Sequence, residues 1–352
     1  MKKVLIYDPY LDTLGGGERY VLTLAQTLLR EEWEVKIAWE DPDILSKAKD
    51  KFRLKIDGME IIDRNIFSEK FVHKWSQLKN FDLLFWVSDG SLPMVFGPKK
   101  TWVHFQVPFM NVEGDSFKNQ TKLKMVSKLV CNSQFTANVI RSEFGKECQV
   151  LYPPVATDLF KPGVKTNTIL YVGRFSRLMQ DKAHAELIAT FKNFSGVKSN
   201  DYRLVLAGST ETSEAAYLNW LRNEAEDYPI EIVPDPSFEE LQKLYAEAKF
   251  FWGLAGFNAD EETQPERCEH FGMSVVEAMA AGCIPILLNK GGYKEIVEDG
   301  QSGYLISRID QMISITTNLI NQISLTEITQ KAMARANFFS ETRFSRQVIS
   351  WL

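Results

Sequence analysis

The sequence is sparing in the groups that several common chemistries need. Its four cysteines, Cys131, Cys148, Cys268 and Cys283, are far apart, and none forms a C-x-x-C pair. This excludes a disulfide framework and a paired-cysteine zinc site, and predicts reduced thiols in a cytoplasmic protein. No run approaches the ~20 apolar residues of a membrane-spanning helix. The opening MKKVLIYDPY is interrupted by Asp8, so it reads as a first strand rather than a signal peptide. There is no short internal repeat and no low-complexity tract. A net charge of −5 argues against general nucleic-acid binding. The glycine-rich LGGGERYV (Leu14–Val21) is not G-x-G-x-x-G, so a dinucleotide cofactor is a poor reading.

What is present fits two ordinary globular domains: 352 residues, 45% hydrophobic and 25% charged. Short β-branched and aromatic runs alternate with helix-period segments, the pattern of parallel sheets covered by helices. Strands are expected at 4–8, 35–39, 83–88, 102–105 and 130–133, then at 169–173, 203–208, 231–234, 250–254 and 284–289. The pattern restarts near residue 168, after the proline-rich Tyr152–Thr168. The expected fold is α/β, two Rossmann-like domains facing across a cleft. Residues 1–163 form the first domain and 164–335 the second. Ligands in such sheets bind beyond the carboxyl ends of the strands.

Charge is uneven. Residues 1–160 hold 22 Lys+Arg against 21 Asp+Glu, and residues 161–352 hold 19 against 25. Between 99 and 128, Lys99, Lys100, Lys118, Lys122, Lys124 and Lys128 face only Glu113 and Asp115. This stretch is either a solvated surface or a contact with anionic lipid on the cytoplasmic membrane face.

Three segments carry chemistry. In EHFGMSVVEAMAAGCIP (Glu269–Pro285), a helix from about Met273 to Ala281 starts after Gly272 and stops at Gly282. Its N-terminus is a site for a diphosphate. Glu269 and Glu277 repel phosphate and suit hydroxyls on either side of it. In GRFSRLMQDK (Gly173–Lys182), Arg174 and Lys182 supply the cations a departing diphosphate needs. In LGGGERYV, the glycines let the backbone approach a ligand closely. By itself each segment also has a plain structural reading: solvated glutamates, a structural arginine with an exposed lysine, and a strand–helix turn.

Taken together the segments resemble family 4 retaining glycosyltransferases of the GT-B fold, mannosyltransferase-like among its members. The resemblance runs through NSQFTANVI (Asn132–Ile140), LYPPVATDLF (Leu151–Phe160), PSFEELQKLYAEAKF (Pro236–Phe250) and GGYKEIVEDGQSGYL (Gly291–Leu305), and so covers nearly the whole chain. It implies a catalytic set of Glu269 on the transferred sugar, Arg174 and Lys182 on the leaving diphosphate, and His104, matched with Pro108. For the donor it implies Glu277 on the ribose, with Gly16, Gly17, Gly173, Val233, Phe271, Gly272, Met273 and Ser274. Asp89 and Glu18 are assigned to the acceptor, and an Asx-turn is the other reading of Asp89. The resemblance also implies that 336–352 is a closing helix returning to the first domain. The family's lysine is usually followed by glycine; here Ala183 stands in that place.

The implied reaction moves a hexose, with retention, from a nucleoside diphosphate sugar to a glycan, lipid-linked or polyol hydroxyl. GDP-mannose is favoured over a UDP-hexose. No metal or other cofactor is expected, and the D-x-D at Asp41–Asp43 reads as a charged turn. The competing readings are a nucleotide-sugar epimerase of the same architecture and a non-catalytic sugar-binding protein. The polar 258–268 insertion reads as a mobile lid or a species-specific loop.

Overall fold

The computed structural model describes residues 1–176, 180, 182–195, 202–210 and 215–352. The chain forms two compact units, Met1–Pro154 with Glu341–Leu352, and Val155–Ser340. Residues 155–163 and 336–340, expected in the first domain and the closing helix, therefore belong to the second unit. The reason is local: the Val155 N–H donates to the Phe339 carbonyl, and Val155 pairs with Ser340 in an isolated bridge.

The first unit holds seven parallel strands: β1 Lys3–Tyr7, β2 Glu34–Ala38, β3 Glu60–Ile62, β4 Leu83–Val87, β5 Lys100–Phe105, β6 Lys128–Cys131 and β7 Cys148–Val150. Their order is β3-β2-β1-β4-β5-β6-β7. Side chains alternate across the sheet, so Val4, Ile6, Leu83 and Phe85 join one core while Leu5 and Leu84 join another. Both faces are covered, which is why runs such as LLFWV are continuously apolar. The helix Gly16–Arg30 packs Val21, Leu24 and Leu28 onto the first face.

The helix Glu341–Trp351 closes the same unit. Phe344 and Val348 are buried there, each contributing about 1.5–3 kcal/mol, against at most about 1 kcal/mol from the Arg19–Glu341 pair at 3.2 Å. Apolar burial, not the ion pair, seats this helix.

In the second unit the described residues form six parallel strands: β8 Thr168–Val172, β9 Arg203–Gly208, β10 Ile230–Pro234, β11 Phe250–Gly253, β12 Ile284–Leu288 and β13 Tyr304–Ile306. The order is β10-β9-β8-β11-β12-β13. Chain progression reverses between β8 and β11, so their loops leave in opposite directions and open a crevice. The ten expected strands are all present to within two residues. The three additional ones, β3, β7 and β13, are three-residue edge strands. Among the described residues no helix is long and apolar enough to cross a membrane.

Candidate active site

The two cation- and carboxylate-bearing loops of the second unit follow β8 and β11, the strands that flank the switch point. They meet there. Lys182 Nζ lies 2.7 Å from Glu269 Oε2 and 2.8 Å from Gln180 Oε1, with both side chains of the ion pair about nine-tenths buried. Burial pushes the Glu269 pKa up, but the Lys182 charge and hydrogen bond, with His270 and Arg174, outweigh it and hold it below the ordinary glutamate value. Gln180 also donates to the Cys268 carbonyl (3.0 Å), tying the two loops together. Arg174 is exposed beside the pair. Of GRFSRLMQDK, residues 177–179 and 181 lie outside the described residues.

The Glu269 peptide is supported by the 258–268 insertion, a turn system bonded to the segment that follows β12. Asp260 Oδ1 accepts the Glu262 and Thr263 N–H groups at 2.8 and 3.2 Å. Glu261 Oε2 accepts the Gly291 N–H (3.0 Å) and pairs with Lys294 (3.0 Å). The Gly292 N–H in turn donates to the Glu269 carbonyl at 2.7 Å. A Cβ on Gly291 would come within 2.3 Å of that carbonyl, so the contact requires glycine. His270 is buried and bonds through Nε2 to the Glu266 carbonyl (3.0 Å). Sequence reasoning missed Gln180 and Glu261 as supports. Gln180 sits two residues before Lys182 and was the one with a visible signal.

The helix Met273–Ala280 buries all but three of its residues, and those three, Met273, Ser274 and Glu277, share one face at its start. Glu277 Oε2 accepts from the buried Tyr245 hydroxyl at 2.9 Å, which fixes the carboxylate. Phe271 departs from the expected donor contact. The residue is buried, with its ring edge-on to Phe339. Gly173 follows β8, where a Cβ would meet the Tyr171 ring within 2.9 Å. Val233 is half-buried on β10, in register with Ala207.

Ala183 adopts φ = +55°, the left-handed conformation that glycine takes without strain. The strain costs about 1–2 kcal/mol; the buried methyl returns about 0.8, and glycine's greater unfolded freedom accounts for the remainder. These terms nearly cancel. Ala183→Gly is therefore expected to leave the thermal midpoint nearly unchanged, while the β-branched Ala183→Val lowers it by several degrees. Calorimetry on both variants checks this, and a large gain in the glycine variant would contradict the balance.

In the first unit the outcome is mixed. His104 is a correction: it is fully buried, stacked 4.2 Å from the Tyr20 ring, and burial pushes its pKa down to about 3. A ring with no exposed atom is framework, not a substrate contact. Glu18 is a second correction. It is buried, and its Oε2 accepts from the Gly15 N–H (2.6 Å) and Thr13 Oγ1 (2.7 Å), capping the helix that Gly16 and Gly17 begin. A Cβ on Gly17 would lie 1.9 Å from Gln106 Oε1, so a side chain there would displace the flexible end of Gln106. Asp89 is exposed and accepts from Ser91 N–H and Oγ in an Asx-turn. Asp8, at the end of β1, is wholly buried and was not anticipated. Burial and the Glu18 carboxylate raise its pKa to about 8, against the opposing Tyr10 N–H bond.

Among the described residues no group of three His, Cys, Asp or Glu side chains is placed to hold a metal ion. Asp41 is engaged by the Asp43 N–H (2.9 Å) and Lys47 (3.1 Å).

Residues 158–336, just over half of the chain, match the family described as "Glycosyl transferases group 1". The chain belongs to that family. Among group 1 relatives, the GDP-Man:Man(3)GlcNAc(2)-PP-Dol alpha-1,2-mannosyltransferase of Dictyostelium discoideum is 29% identical over 64% of this chain and 47% of that enzyme. Its Candida albicans counterpart is 25% identical over 83% of this chain and 61% of its own length. The GDP-mannose:cellobiosyl-diphosphopolyprenol alpha-mannosyltransferase of Komagataeibacter xylinus is 31% identical over 40% of this chain and 32% of its own. The chain thus spans about half the length of the curated relatives it matches first.

The fold is shared more widely. A Rickettsia africae glycosyltransferase aligns with TM-score 0.78 at 18% identity, over 99% of this chain and 97% of its own. Anabaena HepE, solved with UDP and glucose, aligns at 0.70 and 15%, over 100% and 99%. The fold is GT-B, and neither the epimerase nor the binding-protein reading gains support from these relatives.

Proposed function

We propose that this group 1 glycosyltransferase moves mannose from GDP-mannose to a hydroxyl of a lipid-linked glycan, with retention at the anomeric carbon. The observation that carries the reading is the Lys182–Glu269 pair, 2.7 Å apart at the switch point and beside the open face of the helix Met273–Ala280. The names of the relatives at 25–31% identity favour GDP-mannose and a diphosphate-lipid acceptor.

Lys182 and Arg174 neutralise the charge that grows on the departing diphosphate, and the N–H groups at Met273 and Ser274 receive its oxygens. Glu277, fixed by Tyr245, takes the ribose hydroxyls. Glu269, kept ionised by Lys182, accepts from the sugar hydroxyls. A carboxylate so engaged is a poor nucleophile, which favours attack of the acceptor on the face the diphosphate leaves, with that diphosphate taking the proton. No step calls for a metal ion.

Thermal shift with GDP-mannose and UDP-hexoses tests the donor. At 100 times the dissociation constant the right donor adds about 2.7 kcal/mol. GDP-mannose is expected to raise the midpoint of the second unit by several degrees and UDP-glucose by less; the reverse order would reassign the donor. Anomeric coupling constants in the product read the stereochemistry.

A further inference from the structure

Of the six lysines over 99–128, three are engaged within the first unit. Lys99 pairs with Asp82 (2.7 Å), Lys100 Nζ donates to the Leu352 carbonyl (2.9 Å), and Lys128 sits over Trp102 and Trp351 at 4.6 and 4.1 Å. These lysines hold the first unit together. The other three, Lys118, Lys122 and Lys124, belong to a basic face built from the helix Phe71–Leu78, the extended segment 92–98 and the helix Phe117–Leu123.

These three pieces form one surface. Val95 packs with Leu78, and Leu92 with Leu123. Lys122 Nζ reaches the Leu92 carbonyl at 2.6 Å, and Gly97 lies against the backbone of Leu78 and Lys79. With Leu92 and Val95 turned inward, Met94 and Phe96 are left outward at 52% and 42% exposure. Val72 (75%) and Trp75 (44%) on the helix Phe71–Leu78 and Phe117 (89%) on the helix Phe117–Leu123 are exposed as well. Monomeric proteins seldom expose large apolar side chains in a group unless the patch meets a partner.

The charge on this face identifies the partner. Residues 70–79, 92–98 and 117–124 contain Lys70, Lys74, Lys79, Lys118, Lys122 and Lys124, against one adjoining carboxylate, Glu69, which lies on His73 and Gln77 at 3.0 and 3.3 Å, in a chain whose net charge is −5. Lys79 Nζ stands 4.8 Å over the Trp75 ring, setting a cation beside an amphipathic aromatic. Exposed Trp, Phe and Met ringed by lysines suit the headgroup layer of a bilayer: rings enter the acyl boundary and ammonium groups meet lipid phosphates. We infer that this face of the first unit docks on a membrane carrying anionic lipid, which the proposed lipid-linked acceptor would require of the enzyme.

Co-sedimentation with phosphatidylcholine vesicles, with and without phosphatidylglycerol, tests this on the full chain. Binding is expected only when the anionic lipid is present, weakening as salt rises. Lys70→Glu, Lys118→Glu and Lys124→Glu combined should lower the partition coefficient by at least roughly 100-fold, at about 1 kcal/mol per lysine. Trp75→Ser with Phe117→Ser should lower it about tenfold or more through lost apolar insertion. All five positions are exposed, and unchanged circular dichroism verifies folding. Equal binding to neutral vesicles, no binding to anionic ones, or full binding by both variants would overturn the inference. Capture of soluble polyglutamate as tightly as vesicles would also overturn it, pointing to an acidic protein instead. The GDP-mannose thermal shift, measured on the same samples, reports the second unit, so a failed donor reading and a failed membrane reading are told apart.

Discussion

Lys182→Ala is expected to lower kcat by about 10²–10³-fold, the effect of removing one preorganised group from a developing oxyanion. It should also destabilise the second unit by about 3–5 kcal/mol, because Glu269 would stay buried with its nearest cation gone. Those two effects separate in a cycle. The double variant Lys182→Ala/Glu269→Ala removes the stranded carboxylate, so most of the lost stability returns while turnover stays low. Lys182→Arg keeps the charge and should retain part of the activity. The measurements are denaturant unfolding and donor turnover on all four proteins. If the double variant regained turnover along with stability, the pair would be structural, and the assignment of Lys182 to the leaving group would fall.

The second large effect concerns stability against pH. Asp8 is wholly buried, with a pKa raised from 3.8 to about 8 by burial first and then by Glu18, with a smaller push from Asp12. Between those values the folded state keeps a proton that the unfolded state releases, so stability falls as pH rises. In the same unit, burial lowers His104 from 6.5 to about 3. There the unfolded state binds the extra proton, so stability falls as pH drops below about 6.5. The slopes oppose one another in acid, and above about pH 6.5 only that of Asp8 remains. From there to pH 8 the first unit should lose about 2 kcal/mol, at about 1.4 per pH unit. Asp8→Asn can still accept from the Tyr10 N–H, and should flatten this slope and gain a few kcal/mol at pH 8. Thermal unfolding at several pH values compares the two proteins. A wild-type midpoint that rises from pH 6.5 to 8 would contradict the account.

How much was legible depended on the range of the signal. The helix Met273–Ala280 was readable to within a residue because Gly272 and Gly282 punctuate it locally. The long central strands were readable because burial on both faces makes them continuously apolar. The three-residue edge strands β3, β7 and β13 carry too few residues for any period, and only pairing with a neighbour defines them. His104 was misplaced because alternation puts a strand residue on one face without saying what covers that face. Here Tyr20, from a helix 84 residues upstream, stacks on it, and Phe344, 240 residues downstream, packs edge-on to Tyr20. Glu18 was misplaced because a carboxylate three residues into a helix can cap as readily as it can bind, and the cap won.

By itself, then, the sequence determined the two-unit α/β class and the loop–helix–strand segment Glu269–Pro285, since both rest on short-range periodicity and punctuation. It also named Lys182 and Glu269. That the two form a 2.7 Å pair was decided only by tertiary structure. They stand 87 residues apart, and strand order alone brings the β8 and β11 loops to the same point. The same holds for the 99–128 lysines. Their spacing suggested one surface, but the closing helix engaged Lys100 and Lys128, and packing set Lys118, Lys122 and Lys124 on a face shared with residues 70–79 and 92–98. Which charges are free is a property of what packs against them, and that is not written along the chain.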